Sequence, residues 1–297
     1  MTEDFVAGRR CDTTTPAIGA AVTELVEECS PDLGGRVLVL PDAHYPFHPS
    51  TGAVTNPDTV EMLVETLTSR GADVTLCLPE TPWVDGTDCT TYLGYDAIVD
   101  RTGVETLALG DAPTVERRVH IDDRTVDVEV PEALEADPLV VVPTLRTDPD
   151  RSLVATLVTT AMGAYGVSEA DLTPDEVVAA TAVCDPAFTL LDGTYTYTGA
   201  PHRSRFLVAG TDAPAVDRAA ATLVGKTPAD IPYLAPFGLG REPVDGFDLE
   251  ELAASLPNEE PAPDMSDSGG PAAMGYRLYA RVTGDLVPPQ FMGEEDG

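Results

Sequence analysis

The chain has 297 residues, of which 43% are apolar, so it is long enough to bury one large hydrophobic core or two small ones. Its 51 acidic residues outnumber its 17 basic ones and give a net charge of −34, which argues against nucleic-acid binding through a basic surface. The acidic residues are spread along the whole chain. This composition predicts a folded protein with a carboxylate-rich surface that works in a high-salt cytoplasm, as in halophiles, where salt screens the repulsion.

The cysteine pattern and the hydropathy argue against several classes of protein. None of the five cysteines forms a C-x-x-C pair, so neither a disulfide framework nor a zinc or iron–sulfur site is expected from their spacing. No apolar run approaches the ~18 residues of a transmembrane helix, and the N-terminal residues lack the apolar core of a signal peptide. We therefore expect a soluble cytoplasmic protein with no membrane partner, and the oligomeric state stays open.

The first part of the chain predicts a helix followed by a strand–helix–strand unit. Thr15–Glu28 places apolar residues at helical spacing, and Gly35–Leu40 is a short apolar run typical of a buried strand. Asn56 is a suitable cap for a helix that extends to about Arg70, and Ala72–Leu78 is the next apolar run. A right-handed crossover between two parallel strands follows from this order.

The middle of the chain contains a different pattern. Val115–Val130 alternates apolar and polar residues around a central turn, which predicts an antiparallel hairpin with one solvent-facing side. Leu139–Val142 returns to the continuous apolar pattern of a buried strand. The remaining predicted elements are helices at Thr90–Arg101, Pro149–Met162, Pro174–Val183, Ala213–Val224 and Leu249–Leu256, and strands at Val104–Leu109, Thr189–Leu191 and Phe206–Ala209.

These elements predict an α/β fold with a mostly parallel central sheet flanked by helices, and with the antiparallel hairpin (about 115–130) at an edge. We assign residues 1–256 to a single α/β domain. The acidic, Pro-rich segment 257–271 is expected to be a flexible linker. Residues 272–297 are expected to add an edge strand at Tyr276–Val282 and a frayed tail.

Three buried strands are followed by polar segments of similar type. These segments begin at Asp42, at Thr144 and at Asp192, and the second of them extends through Arg146 to Asp148. Since ligands of such sheets bind at the carboxyl ends of parallel strands, we expect the three segments to meet there and to form a site for a small molecule.

The segment after the first strand contains the candidate metal ligands. Asp42, His44 and His48 lie in one loop, and together with Asp148 and Asp192 they can supply nitrogen and oxygen ligands to a divalent cation. The alternative is an ordinary loop whose histidines are solvated or packed against the neighbouring Tyr45 and Phe47. The sequence alone leaves both possibilities open.

Two helix starts also have a functional and a structural interpretation. Thr55 and Asn56 can present the free N–H groups of a helix to an anion, or Asn56 can simply cap that helix. Asp212 is likewise a suitable cap for the helix at Ala213–Val224. Asp217 lies within that helix, where burial would raise its pKa and make it a candidate catalytic group. The alternative for Asp217 is a structural ion pair with Arg203, Arg205 or Arg218.

Five ordered segments carry a family resemblance: GRVLVLPD, TGAVTNPDTVEMLVETLTSRGADVTL, EADPLVVVPTLRTD, FTLLDGTYTYTGAP and LVAGTDAPAVDRAAATLVGKTPADIPYLAPFGLG. Together they resemble the family called domain of unknown function 362, over about Gly35 to Gly240. The resemblance implies an intracellular α/β protein without an established general reaction. Some members of the family carry ferredoxin-type cysteine clusters, and this chain has none in its sequence.

The resemblance also identifies two departures at the predicted site. The family's Lys-Pro-Asn is Leu40, Pro41 and Asp42 here, and its Lys-Thr-His is Arg146, Thr147 and Asp148. If the family binds an anion through these lysines, this chain has kept one cation as arginine and has lost the other. A bound cation or loss of activity are the other outcomes that the changes imply.

We therefore carry two functional hypotheses. The first is an enzyme acting on a small polar or anionic metabolite, with an arginine to bind a substrate carboxylate or phosphate and a divalent metal as an optional cofactor. The second is a non-catalytic ligand-binding or regulatory protein that kept the fold. The predicted catalytic residues are Asp192, Asp217 and Asp148, the predicted substrate-binding residues are Arg146, Thr144, Asn56, Thr55 and Asp212, and the predicted metal ligands are Asp42 and His44.

Overall fold

The computed structural model describes residues 5–29, 31, 33–80, 91–147 and 153–257, and every structural statement below refers to these residues. Asp148, the predicted linker beyond residue 257 and the predicted strand Tyr276–Val282 lie outside them. No helix in this part of the chain is long and apolar enough to cross a membrane.

The described chain contains twelve strands. Ten of them belong to one sheet, and two form a separate hairpin. Their bounds are β1 Val6–Arg10, β2 Arg36–Pro41, β3 Asp73–Leu78, β4 Glu105–Ala108, β5 Thr114–Ile121, β6 Arg124–Pro131, β7 Leu139–Val142, β8 Thr144–Thr147, β9 Leu153–Val154, β10 Phe188–Tyr197, β11 Pro201–His202 and β12 Phe206–Gly210.

The large sheet is mostly parallel, as predicted. Its main order is β1-β12-β10-β7-β2-β3-β4, and the five strands from β10 to β4 all pair in parallel. β12 runs antiparallel to β10, and β1 pairs antiparallel with β12. The apolar runs of β2 and β7 are buried at the centre of this sheet, which agrees with their lack of alternation in the sequence.

Eight helices lie within the described residues, and they form two groups. α1 packs against α2, while α5 packs against both α6 and α7. Their bounds are α1 Thr15–Cys29, α2 Pro57–Ser69, α3 Tyr95–Thr102, α4 Glu132–Ala136, α5 Thr156–Tyr165, α6 Pro174–Cys184, α7 Ala213–Leu223 and α8 Leu249–Ala253. Short 3₁₀ helices occur at Pro49–Thr51, Leu109–Asp111, Glu169–Asp171, Pro228–Asp230 and Ala235–Phe237.

The predicted hairpin is confirmed. β5 and β6 pair antiparallel over their whole length, and the turn between them includes Asp122 with a φ of 51°. On one face of the hairpin the residues of both strands are largely exposed, as their alternation predicts. The hairpin contacts α6.

Two predicted boundaries are wrong, and both lie near the predicted site. The helix predicted from Pro149 begins only at Thr156, because Leu153–Val154 pairs with β8 as a short strand instead. The strand predicted to end at Leu191 continues to Tyr197, so Asp192 lies inside β10 and not in a loop. Gly193 permits this, since a Cβ at this position would lie 2.2 Å from the ring of Phe206.

α5 supports the sheet directly beneath the predicted site. Nine of its ten residues are buried, so this helix is enclosed on all sides. Gly163 allows the close approach to the sheet, because a Cβ there would lie 2.7 Å from a methyl carbon of Leu40. The helix therefore carries Met162 and its neighbours against the ends of β2 and β8.

Candidate functional site

The polar segments that follow the central strands meet at the carboxyl end of the sheet, as predicted. The backbone N–H of Asp42 donates to the carbonyl of Val142 over 3.1 Å, and that of Asp192 donates to Pro143 over 2.8 Å. The N–H of Thr55 donates to the carbonyl of Asp42 over 2.9 Å. Backbone hydrogen bonds therefore hold Asp42, Thr55 and Asp192 close to the break between β7 and β8.

Five polar side chains form a series of contacts across this end of the sheet. One carboxylate oxygen of Asp42 lies 3.1 Å from Nδ1 of His44, and the other accepts a hydrogen bond of 3.3 Å from Nε of Arg146. Arg146 also donates to Glu169 over 2.5 Å, and the hydroxyl of Tyr45 donates to the second oxygen of Glu169 over 3.0 Å. We call His44, Asp42, Arg146, Glu169 and Tyr45 the Asp42–Glu169 network.

In this network the charge of Arg146 offsets the effect of burial on the pKa values of the two carboxylates. Burial acts to raise the pKa of Asp42, but the charge of Arg146 and the hydrogen bond from His44 outweigh it and lower that pKa. Burial also acts to raise the pKa of Glu169, and Arg146 again outweighs it and lowers the pKa. At Arg146 the directions are reversed. Burial acts to lower the pKa of the guanidinium, but its two carboxylate neighbours outweigh this effect and raise the pKa. Both acids are therefore ionised at neutral pH, and Arg146 is charged.

Only one of the two ring nitrogens of His44 has a hydrogen-bond partner among the described residues. Because Asp42 is ionised, it accepts a hydrogen bond from Nδ1 of His44. The residue is only 1% exposed, and its Nε2 has no hydrogen-bond partner among the described residues. A buried polar atom without a partner is uncommon, and here it is a ring nitrogen of an imidazole.

Asp192 holds the start of α2 against β10. Its carboxylate accepts hydrogen bonds from the N–H of Asn56 over 2.7 Å and from the N–H of Thr194 over 2.8 Å. The side chain of Asn56 caps α2 through Asp58 and also donates to Thr194. Burial raises the pKa of Asp192 to about 6, although these hydrogen bonds act to lower it. The predicted anion site at Thr55 and Asn56 is thus filled by a carboxylate of the protein itself.

The two threonines of the predicted site have backbone partners. The hydroxyl of Thr55 donates to the carbonyl of Val142 over 2.5 Å and accepts from the N–H of Asp42 over 3.0 Å. The hydroxyl of Thr144 lies 3.3 Å from the carbonyl of Gly52. The hydrogen bonds of both hydroxyls therefore hold the loop after β2 against the sheet.

Asp217 lies within α7 and Asp212 directly precedes it, and the carboxylates of both cap helices. Asp217 accepts hydrogen bonds from the N–H groups of Thr156 (2.8 Å) and Leu157 (3.0 Å), so it caps α5 from a neighbouring helix. Burial raises its pKa to about 6 against these hydrogen bonds. Asp212 caps its own helix through Ala215 over 2.9 Å. Asp217 contacts the start of α5, whereas Arg146 contacts Met162, which lies about 9 Å further along that helix by its rise per residue.

The arginines proposed as partners of Asp217 pair elsewhere. Arg203 and Arg205 both pair with Asp12, and Arg218 pairs with Glu242 over 2.7 Å. The carboxylate of Asp217 is therefore stabilised by backbone N–H groups rather than by one of these ion pairs.

Metal binding at Asp42 and His44 stays a prediction. Both oxygens of Asp42 already contact the network, one at His44 and one at Arg146. Within the described ranges no group of three or more His, Cys, Asp or Glu side chains could hold a metal ion. Asp148, the third predicted ligand, lies outside those ranges.

Two members of the network were missed from the sequence. Glu169 lies in a short 3₁₀ helix between α5 and α6, and its spacing from Arg146 gives no indication of contact. Tyr45 was considered only as a packing neighbour of the histidines, and its ring does stack on Phe47 at 5.4 Å. No local signal identifies Glu169, because its partner Arg146 lies 23 residues earlier in the chain.

Comparison with known proteins identifies the family. The model of the family described as Domain of unknown function (DUF362) matches residues 37–222, and the chain belongs to this family. Among solved structures, the chain is similar to the lactate racemase apoprotein from Thermoanaerobacterium thermosaccharolyticum, with 11% identity and a TM-score of 0.40. This similarity covers 76% of the present chain and 58% of the other, so the chain spans less than two thirds of that protein. A comparison with curated proteins gives no match.

Proposed function

We propose that this DUF362 protein is an enzyme that acts on a small polar or anionic metabolite at the carboxyl ends of the sheet strands, with His44 as its proton-transferring group. The observation that carries the proposal is the buried Nε2 of His44, which has no hydrogen-bond partner among the described residues. Imidazole is the side chain that most often accepts or donates a proton in catalysis at neutral pH.

Asp42 gives His44 the support that such a role requires. A general base must present one nitrogen to the substrate and must be held in one orientation and one tautomer. The carboxylate of Asp42 meets both needs, because it contacts Nδ1 over 3.1 Å and leaves Nε2 as the basic atom. Arg146 holds the second oxygen of Asp42, so the carboxylate itself is fixed. In hydrolases with a Ser-His-Asp triad, which occur on several unrelated folds, a buried carboxylate likewise holds one nitrogen of the histidine and fixes its tautomer.

The surroundings support a small ligand with negative charge or several polar groups. Arg146 is a buried cation next to the pair, and a guanidinium binds carboxylates and phosphates through two parallel hydrogen bonds. His44 is only 1% exposed, which favours a small ligand over a large one. The acidic surface supports the further proposal that the enzyme works in a high-salt cytoplasm.

A second candidate is a non-catalytic ligand-binding or regulatory protein. It is favoured by the fact that Asp192, Asp217 and Asp212, three of the predicted site acids, all accept hydrogen bonds from backbone N–H groups at helix starts or within the sheet. Such acids stabilise the fold and need no reaction to explain them. The two candidates differ in whether the nitrogen of His44 exchanges protons with a bound ligand.

The test compares His44→Gln with His48→Gln. His48 is the matched control, because it lies in the same loop but contacts Ser50 at the surface. Wild type and both variants are incubated in D₂O with a panel of small hydroxy, keto and amino acids and phosphate esters, and carbon-bound deuterium and new products are followed by NMR. We expect exchange or turnover of at least one compound in wild type and His48→Gln, and a loss of about 100-fold or more in His44→Gln.

The result also separates the two candidates. Equal rates in the wild type and His44→Gln would refute the role of His44. A compound that binds tightly to the wild type without any exchange or turnover would support the non-catalytic candidate instead.

A further inference from the structure

The carboxylate of Glu169 fills a position that is built to hold an anion. Its Oε1 accepts a hydrogen bond from a terminal nitrogen of Arg146, and its Oε2 accepts one from the hydroxyl of Tyr45. The phenolic hydroxyl donates over 3.0 Å, so both oxygens of the carboxylate have a donor. A charged fork and a neutral hydroxyl that both point at one carboxylate are the donors that proteins use to bind carboxylate ligands.

Glu169 is the more accessible partner of the pair. Its side chain is 13% exposed, and the side chain of Arg146 is 6% exposed. Glu169 begins a three-residue 3₁₀ helix in the connection between α5 and α6. That connection starts at Gly166, which adopts a φ of 63°, and ends at the capping box of Thr173. Glu169 therefore belongs to a connection and to neither the sheet nor the two helices.

We propose that Arg146 and Tyr45 form a binding site for the carboxylate group of a small molecule, and that Glu169 occupies this site until the ligand displaces it. The inference rests on the proposed function and makes that function more specific. It names the ligand class, a carboxylate, and it names Glu169 as the gate, the side chain that occupies the site before the ligand binds. Because Arg146 also contacts Asp42, a ligand carboxylate bound there would lie beside the Asp42–His44 pair.

Charge balance favours a carboxylate over other ligands. When one carboxylate replaces another on Arg146, the buried guanidinium stays paired and Asp42 keeps its partner. A neutral ligand would leave Arg146 with Asp42 alone, and a phosphate would bring a second negative charge into a site that already contains Asp42. The exchange needs no covalent step and no cofactor.

The chain supplies a matched control for this site. Arg218 and Glu242 form a second pair of similar burial, with side chains 9% and 11% exposed and a closest contact of 2.7 Å. In that pair, the guanidinium donates to Glu242 and to the backbone carbonyl of Phe237. A Glu242 variant therefore shows how acetate binding changes when a different buried arginine–glutamate pair is weakened.

The experiment measures acetate binding to the full chain at constant ionic strength, with potassium acetate replacing KCl. Titration by NMR compares the wild type with Glu169→Gln and Glu242→Gln. In Glu169→Gln the gate has lost its charge, so we expect acetate to bind at least tenfold more tightly than to the wild type, equivalent to about 1.4 kcal/mol. Glu242→Gln should bind acetate as the wild type does. Glu169→Asp, which keeps the charge but shortens the side chain, should give an intermediate affinity and provides a second variant if Glu169→Gln does not fold.

Several outcomes would overturn the inference. They are unchanged acetate affinity in both Glu169 variants, an equal gain in Glu242→Gln, and binding of inorganic phosphate without binding of acetate. Loss of the gain in Glu169→Gln/Arg146→Gln would support it, because the site then depends on the guanidinium. Adding His44→Gln to Glu169→Gln should leave the acetate affinity tight, so the binding site can be established even if His44 proves to have no role in a reaction.

Discussion

The buried carboxylate of Asp217 should make the stability of this protein fall as the pH rises. Asp217 accepts two backbone hydrogen bonds at the start of α5, yet its burial raises its pKa from 3.8 to about 6. The folded chain therefore binds more protons than the unfolded chain between these two values. Stability from this group is complete below the unfolded pKa and is lost as the pH rises through the folded pKa.

The size of the effect follows from the shift. A difference of about two pKa units corresponds to roughly 3 kcal/mol of unfolding free energy, and about half of this loss falls between pH 5 and pH 7.5. Asp217→Asn removes the titrating group. It also leaves one N–H of α5 without a good acceptor, which costs about 1–3 kcal/mol at every pH and so changes the level of the curve but not its slope.

The assay is urea unfolding followed by circular dichroism at several pH values, in one constant high concentration of KCl. Since the general repulsion of the acidic surface is the same in both proteins, the difference between wild type and Asp217→Asn isolates the single group. We expect the stability of the wild type to fall by about 1.5 kcal/mol more than that of the variant between pH 5 and pH 7.5. Parallel curves for the two proteins would refute the reasoning.

Two further predictions concern packing and solvent. Gly193→Ala should destabilise the fold by about 1–3 kcal/mol in urea unfolding, because the new Cβ would lie 2.2 Å from the ring of Phe206. Gly34→Ala is its control, since no atom lies within 4 Å of a Cβ there, and an equal loss would contradict the packing argument. Diluting KCl from about 2 M to ~0.1 M should lower the midpoint of thermal unfolding, and an unchanged midpoint would argue against adaptation to high salt.

Much of the fold could be predicted because the signals are local. The apolar runs of β2 and β7 lack alternation and are buried in a parallel sheet, whereas the hairpin β5–β6 alternates and has an exposed side. Asn56 caps α2, as its position before Pro57 indicates. Each of these features is determined by neighbouring residues, and hydrophobic periodicity reports them directly.

The errors arise where a tertiary contact overrides the local pattern. Asp192 and Gly193 look like a turn, but the N–H of Asn56 satisfies the carboxylate, and the ring of Phe206 occupies the space above the glycine. The strand therefore continues through residues that usually end one. Leu153–Val154 pairs with the preceding strand β8 although proline and apolar residues around it favour a helix. The partner Asn56 of Asp192 is far away in sequence, whereas β8 is close to Leu153–Val154, so in the second place a nearby strand pairing overrides the helical pattern.

The same distinction separates the acids that were expected near the ends of the strands. Asp192 and Asp217 were predicted to be catalytic, and Asp42 was predicted to bind a metal. Asp192 and Asp217 accept hydrogen bonds from backbone N–H groups, which stabilises the start of α2 and of α5. Asp42 instead contacts His44 and Arg146, and Nε2 of His44 has no hydrogen-bond partner among the described residues. Our proposal for His44 rests on this difference, which sequence reasoning cannot find because it depends on neighbours that are distant in the chain.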